Sequence, residues 1–459
     1  MSEEFDALII GAGQSGPFLA AKLAEAGQKV ALIEREHLGG TCVNDGCTPT
    51  KTLVASARAA WAVRHAAEFG VSVQGPITVD MRAVKARMNE VVGASVKSLT
   101  EWLRSFKSLE IIMGSGSFVS ARAVKVGDRV LSAPRIFINT GGSATIPDWP
   151  GLDGVPYLTN TSLLELETVP EHLVIAGGGY IALEFAQIYA RFGAKVTVIE
   201  RDTRIASRED EEISDAIRDI LAADGVSFLV GATVSSAERT QHGVRLHLRQ
   251  DGQDTRIEGS HLLVALGRTP NTADLDLPAA GLGTDARGFI PVDDHLLTSV
   301  PGIWALGDVN GRGAFTHTSY NDYEIVSDNL LEGGERSVAH RIPVYGLFID
   351  PPLGRIGMSE AEVRKSGRSA LLATYPMARV GRARERGETK GLMKVLVDAQ
   401  SHQILGAAIL GIGGDEVIHS LLLLMAAGTP YTTLMKTVHI HPTVSELIPT
   451  MLAGLEPLR

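Results

Sequence analysis

DALIIGAGQSGPFLAAKLAEAGQKVALIERE, residues 6–36, and HLVIAGGGYIALEFAQIYARFGAKVTVIERD, residues 172–202, are one motif written twice. Each opens on an apolar run that reads as a buried strand and turns through glycines. Each then continues as a helix and closes on a second apolar run ending in acid. In both copies the acid stands 23 positions after the first glycine, Gly11 to Glu34 and Gly177 to Glu200. A dinucleotide needs every one of these parts. The first glycine makes a tight turn, the second lets the backbone approach a pyrophosphate, and the helix offers its unpaired N–H groups to that anion. The carboxylate accepts from ribose hydroxyls. The first copy is complete, with Gly11, Gly13 and Gly16, whereas the second has Gly177 and Gly179 followed by Ala182. Pro17 is tolerable because the first turn of a helix has no hydrogen bond to lose there. A lone glycine-rich turn carries little information. Two of them, each with its acid in register, predict two Rossmann-like dinucleotide-binding domains, one for a flavin and one for a nicotinamide.

Each half also closes with a strand running into glycine, RIFINTGG (135–142) and HLLVALGRTPN (261–271). A further strand, GIWALGDVN (302–310), ends in a Gly-Asp that can carry a carboxylate to a cofactor hydroxyl. A chain of 459 residues exceeds what one core supports, so several domains are expected. The net charge of -10 argues against a nucleic-acid partner, which needs a concentrated basic surface. One basic stretch, RVGRARERGETK (379–390), is interrupted by Glu385 and Glu388 and reads as a solvated loop or edge. No run approaches the ~20 apolar residues of a membrane span, and HSLLLLMAAG (419–428) stops at Gly428. The acidic start, MSEEFDALIIGAG, passes straight into a strand and reads as neither signal nor transit peptide, so a cytoplasmic location is expected.

The only two cysteines, Cys42 and Cys47, share the segment GGTCVNDGCTPTK (39–51). Five positions apart on an ideal helix they would point ~140° away from one another. Bonding requires Cα atoms within about 7 Å, so the segment must be irregular, and Gly39, Gly40, Gly46 and Pro49 supply that freedom. A helix beginning here would aim its positive end at a thiolate and lower its pKa. A metal site is a poor alternative, since no second cysteine pair or nearby histidine completes four ligands. Two thiols in so long a chain are not a secreted disulfide framework. Pairing of this kind is catalytic, with incidental thiols as the plain alternative.

The order of these signals, a GxGxxG unit, GGTCVNDGC, a GxGxxA unit, ALGD (305–308) and HPTVSE (441–446), closely resembles the FAD-dependent pyridine nucleotide–disulfide oxidoreductases. That family includes glutathione reductase, dihydrolipoamide dehydrogenase and mercuric reductase, and the resemblance covers nearly the whole chain. It implies an α/β protein with two Rossmann-like domains and a C-terminal α+β dimerisation domain. The FAD domain would comprise 1–150 and 271–344, the NAD(P) domain 151–270 and the dimerisation domain 345–459. The last opens near YGLFIDPPLGRIGMSE (345–360). The resemblance further implies FAD contacts at Gly11, Gly13, Gly16, Gly40, Thr41, Thr140 and Gly141, with Glu34 on the adenosine ribose and Asp308 on the ribityl chain. Gly177, Gly179, Ala182, Glu200, Arg201 and Gly267 would serve the nicotinamide dinucleotide. Tyr180 matches an aromatic gate over the flavin, with simple packing as its alternative.

By the same resemblance Cys42 attacks the substrate and Cys47 faces the flavin. Lys51 matches a lysine near flavin N5, and Glu184 matches its ion-pair partner. His441 would shuttle protons to Cys42 with Glu446 orienting the ring, an acid–base pair of the usual kind. In this family that pair reaches the cysteines of the other subunit, so a homodimer is implied. His439 has no assigned role. Electrons would run from NAD(P)H through FAD to a Cys42–Cys47 disulfide and on to a small-molecule or metal-ion acceptor.

Donor and acceptor are less sharply marked. Glu200 favours NADH because a carboxylate repels a 2′-phosphate, whereas Arg201, Arg204 and Ala182 look more like NADPH-using members; the balance leans to NADH. Thr50 and Thr52 depart from the usual Pro-Ser-Lys, and Asp45 replaces an apolar residue between the cysteines. With PPLGRIGMSE and RARERGETKG, these look most like the mercuric reductase-like branch, which includes flavoproteins of reactive-chlorine resistance and copper reduction. Against mercuric reductase proper, MLAGLEPLR (451–459) holds no cysteine pair, and an N-terminal metal-binding domain is not expected ahead of MSEEFDALIIGAG. His441 keeps a proton shuttle that disulfide chemistry wants. The alternatives are a disulfide reductase or dihydrolipoamide dehydrogenase and, from another class, a thiol redox sensor.

Overall fold

The computed structural model describes residues 2–458. It divides into two units, one built from the segments ending at Thr52, Thr145 and Arg341, the other from 53–84, 146–266 and 342 onward. Among the described residues no helix is long and apolar enough to cross a membrane.

The first unit is organised by a five-stranded parallel sheet. Its strands lie in the order Ile303–Ala305, Arg135–Ile138, Ala7–Ile10, Val30–Glu34, Leu109–Met113. Numbered along the chain this is 5-4-1-2-3, the nucleotide-binding order. The run ALII is buried on both faces, which is why it shows no alternation in the sequence. Ala7 and Ile9 pack with Leu19 and Leu23 of the helix Gly16–Glu25, while Leu8 and Ile10 face Phe118, Val124 and Leu131. Those last three come from an antiparallel meander, Gly116–Ser120, Ala123–Val126 and Arg129–Ser132, that roofs the sheet's other side.

The second unit repeats the device and adds to it. A parallel sheet runs Tyr157–Leu158, His261–Val264, His172–Ala176, Lys195–Glu200, Val226–Val230. Val174, Ala176 and Val264 pack against Val244, Leu246 and Leu248 of a three-stranded antiparallel sheet, residues 232–259. The same unit carries a six-stranded antiparallel sheet drawn from 344–457, with Met393, Val395 and Ile409 packed on Ile418 and Leu421 of the helix Gly414–Ala426. The chain is thus α/β with two Rossmann-like parallel sheets and a C-terminal α+β portion.

The stretch 379–390 is more ordered than a plain solvated loop. It forms a short helix, Gly381–Glu385, whose Ala383 is buried. The interrupting acids explain this: Glu385 pairs with Arg382 at 3.2 Å, and Glu388 takes Arg58 at 2.7 Å.

Candidate active site

Both fingerprints turn in the same way. Gly11 has φ +102° and Gly177 φ +110°, and a Cβ on either would fall on a backbone oxygen, Asn139 O or Ala265 O. Glycine alone fits there. The two acids are also held alike. Glu34 accepts the N–H of Ala12 and of Glu36, each at 2.8 Å. Glu200 accepts the N–H of Gly178 at 2.6 Å and of Asp202 at 2.9 Å. Two backbone donors fix each carboxylate at its strand end and leave lone pairs for a ribose hydroxyl. Gly13 ends beside Gly40, where a Cβ would lie 2.8 Å from Gly13 Cα, so the two backbones approach as only glycine allows. A cavity of about 560 Å³ opens against Gly13 and Gln14, with Val43, Ser98 and Trp102 around it. The bare turn, the pinned carboxylate and this opening fit a dinucleotide.

Several supporting residues carry no signal in the sequence. Asn139, 5% exposed, accepts from the N–H of Ser15 (3.3 Å) and Gly16 (3.0 Å) and donates to Leu306 O at 2.8 Å. It lies inside RIFINTGG, and nothing local marks it. Its neighbours Thr140 and Gly141 are tied to Asn271: Thr140 Oγ1 donates to Asn271 O at 2.8 Å, and Asn271 N donates to Gly141 O at 2.9 Å. The Gly-Asp of residues 307–308 opens a short turn, Gly307–Asn310, braced by the buried carboxylate of Asp322, which accepts from Gly307 N at 2.7 Å. Burial pushes the Asp308 carboxyl above its usual range, although Arg268 Nε stands 3.7 Å away.

The cysteines sit on either side of a helix break. Cys42 belongs to the short helix Gly40–Asn44, Asp45 and Gly46 interrupt it, and Cys47 is the first residue of the helix Cys47–Arg64. This is the irregularity that the spacing requires. Cys42 is half-buried and Cys47 exposed. Cys47 Sγ lies 3.3 Å from Thr316 Oγ1, a partner 269 positions away that no spacing argument could find. The hydrogen bond with Cys47, then burial, push the Cys42 thiol well above the ordinary thiol range, while Thr316 and Lys51 act to lower it. Lys51 is half-buried in the second turn of the helix Cys47–Arg64.

In the second unit Tyr180 opens the helix Tyr180–Phe192 directly after Gly179. Its hydroxyl donates to Glu209, and Tyr345 donates to the same oxygen at 2.7 Å. Ala182 is fully buried in that helix, and Glu184, 6% exposed, accepts the N–H of Phe348 at 2.9 Å. Arg201 is largely exposed, and Arg204 stands 3.5 Å from Glu211. Gly267 has φ +122° with open space where a side chain would stand. His441 Nδ1 lies 2.9 Å from Glu446 Oε2, and the imidazole is exposed. Glu446 also accepts from Thr443 N at 3.4 Å, which aims the carboxylate at the ring.

Comparison with known proteins agrees with this geometry. Residues 5–322 match the family model described as pyridine nucleotide-disulphide oxidoreductase, and 344–452 match its dimerisation domain. The chain is 38% identical to the probable pyridine nucleotide-disulfide oxidoreductase RclA of Escherichia coli, covering 96% of this chain and 97% of that one. It is 34% identical to dihydrolipoyl dehydrogenase of Chlamydia pneumoniae, covering 97% of this chain and 96% of the relative. It is equally 34% identical to mercuric reductase of Streptomyces lividans, covering 97% and 94%. A solved structure described as a Cu(II) complex of the HOCl-induced flavoprotein disulfide reductase RclA superposes with TM-score 0.89 at 37% identity, covering 98% of this chain and all of that one. The chain therefore belongs to the pyridine nucleotide-disulphide oxidoreductase family, as a flavoprotein oxidoreductase of FAD and a pyridine nucleotide.

Proposed function

We propose that the enzyme takes electrons from NADH and delivers them through the Cys42–Cys47 pair to a thiophilic metal ion, Cu(II) or Hg(II), or a related oxidant. The observation that carries this reading is the thiol pair at the break between Gly40–Asn44 and Cys47–Arg64, beside Thr316, in a chain so similar to RclA and mercuric reductase. Thiolate sulfur is the soft ligand that Cu(I) and Hg(II) prefer. Closing the disulfide releases two electrons and two protons, enough for one Hg(II) to Hg(0) or two Cu(II) to Cu(I). Bound FAD supplies the two-electron relay between nicotinamide and thiols. Around it Gly11, Gly13, Gly16, Gly40 and Thr41 leave backbone free for the pyrophosphate, while Thr140, Gly141 and Asp308 line the remainder. Glu34 takes the adenosine ribose of FAD and Glu200 the adenosine ribose of the nicotinamide dinucleotide. The FAD domain would span 1–150 and 271–344, the NAD(P) domain 151–270, and the interface domain 345–459.

The reading includes a homodimer in which His441 and Glu446 of one subunit serve the cysteines of the other. Its support is apolar exposure near that histidine: Val438 is 95% exposed and Ile440 80%. Surfaces of that kind mark association. NADH is favoured over NADPH because both Glu200 oxygens are fixed by backbone donors and cannot turn away from a 2′-phosphate. A second reading, reduction of a small disulfide such as lipoamide, is favoured by the His441–Glu446 pair. Anaerobic NADH oxidation with Cu(II), with Hg(II) plus excess thiol, and with lipoamide separates them. Turnover with a metal and little with lipoamide is expected; the reverse makes this a dithiol–disulfide enzyme.

A further inference from the structure

We infer that Glu209 is a positioning residue for Tyr180, holding its ring closed at the second fingerprint in competition with Tyr345. The inference rests on the reading of Tyr180 as the side chain a nicotinamide must displace. Glu209 belongs to no motif: it stands 29 positions after Tyr180, in the stretch REDEE (208–212), and its side chain is wholly buried. One carboxylate oxygen, Oε1, accepts from both phenols, Tyr180 and Tyr345, whose ring centroids are 5.6 Å apart. The other, Oε2, lies 3.4 Å from Arg355 Nη1, which also pairs with Asp210 at 2.9 Å. Arg355 is itself 2% exposed. The charge is therefore anchored at one end by a buried guanidinium and offers a single oxygen to two donors at the other.

Burial, followed by the Glu209 charge, pushes both phenols above their usual range, so both remain donors throughout neutral pH. Swinging the Tyr180 ring aside breaks a hydrogen bond to a buried carboxylate, and such bonds are among the stronger ones. The fraction of molecules with the ring displaced then scales the apparent affinity for the dinucleotide. Tyr345 acts against this hold, because each phenol weakens the other's claim on Oε1.

Two substitutions give opposite signs. Glu209→Gln replaces a charged acceptor with a neutral one, so the holoenzyme should bind NAD⁺ and NADP⁺ more tightly by about tenfold, with a matching fall in KM and a smaller change in kcat. Tyr345→Phe leaves the carboxylate intact and Tyr180 as its only phenol, so KM and the dissociation constants should rise about threefold. Dissociation constants come from calorimetric titration of the oxidised dinucleotides into the oxidised holoenzyme. Both substitutions are repeated in the Tyr180→Phe background, where their effects on binding should vanish. If either acts equally in both backgrounds, Glu209 works through Arg355 and the proposal fails. If Tyr180→Ala leaves dinucleotide binding unchanged, the reading of Tyr180 itself fails and takes this inference with it. Should Glu209→Gln not fold, Tyr345→Phe alone decides, since a fall or no change in KM contradicts the competition.

Discussion

Asn139 makes three hydrogen bonds with one small side chain, and they join the glycine turn to the strand that precedes Gly307. Two of its partners are N–H groups at the start of the helix Gly16–Glu25, donors that a helix cannot satisfy internally. Asn139→Ala strands a buried carbonyl and two buried amides, which should cost about 2–4 kcal/mol of stability. The variant should also retain less flavin on gel filtration, read from its visible absorbance. Unchanged urea midpoint and unchanged flavin content would show that water replaces the amide. At Cys42 a proton decides reactivity. The Cys47 hydrogen bond and burial raise its pKa, so at neutral pH the isolated thiol is a poor nucleophile. A base must then be recruited, and His441 is the proposed one. In the two-electron-reduced His441→Ala variant, the pH midpoint for alkylation of Cys42 by iodoacetamide should move upward by at least one unit. A midpoint identical to wild type removes His441 from the thiol's surroundings.

At the scale of elements, what was legible was what is local. The two strand–turn–helix–strand units could be read because each is a contiguous run of about thirty residues whose glycines and acid meet within one turn. The helix break between the cysteines was legible for the same reason, as their spacing forbids a continuous helix. Asn139, Thr316 and Glu209 were not, because their contacts span 124, 269 and 136 positions and none alters local periodicity. Lys394 is a further case. It interrupts an apolar strand, Leu392–Asp398, and a lysine there reads as solvent-facing, yet it is 1% exposed. Its ammonium meets Glu212 at 2.5 Å, Glu360 at 2.7 Å and Asp210 at 3.3 Å, joining the strand to the starts of the helices Glu211–Ala223 and Glu360–Ser366. Removing one partner of a buried ion network is worse than never having built it. Lys394→Met should therefore lower stability by about 3–5 kcal/mol. The pH dependence follows from the acids. Burial disfavours the charged form of Asp210, but Arg355 and Lys394 outweigh it and hold the carboxyl below its usual range, and the Glu360 carboxyl is also held low. Such carboxylates stabilise the fold above their unfolded pKa and lose that contribution as pH falls through the folded value. The acid-unfolding midpoint should rise in Lys394→Met, and a midpoint that stays put would mean the network is energetically idle.

At the scale of the whole molecule the decisive question is whether one chain suffices. His441 is exposed while hydrogen-bonded to Glu446, and Val438 and Ile440 stand beside it bare of cover. In the proposed homodimer the His441–Glu446 pair of one subunit serves the thiols of the other, and apolar residues bare on one chain are the kind that association covers. That arrangement makes a quantitative demand. Cys42→Ser and His441→Ala subunits are each inactive as homodimers in disulfide turnover if every site needs both residues. After dissociation, mixing and reassociation, half of the dimers contain one subunit of each kind. In such a dimer one site carries both lesions and the other carries neither. Activity should return to roughly a quarter of wild type, because half the dimers regain one of two sites. The same mixture with Val438→Asp and Ile440→Asp on both subunits should recover nothing and sediment as monomer. If His441 instead served the thiols of its own chain, every site in the mixed dimer would carry one lesion, and mixing would restore no activity at all.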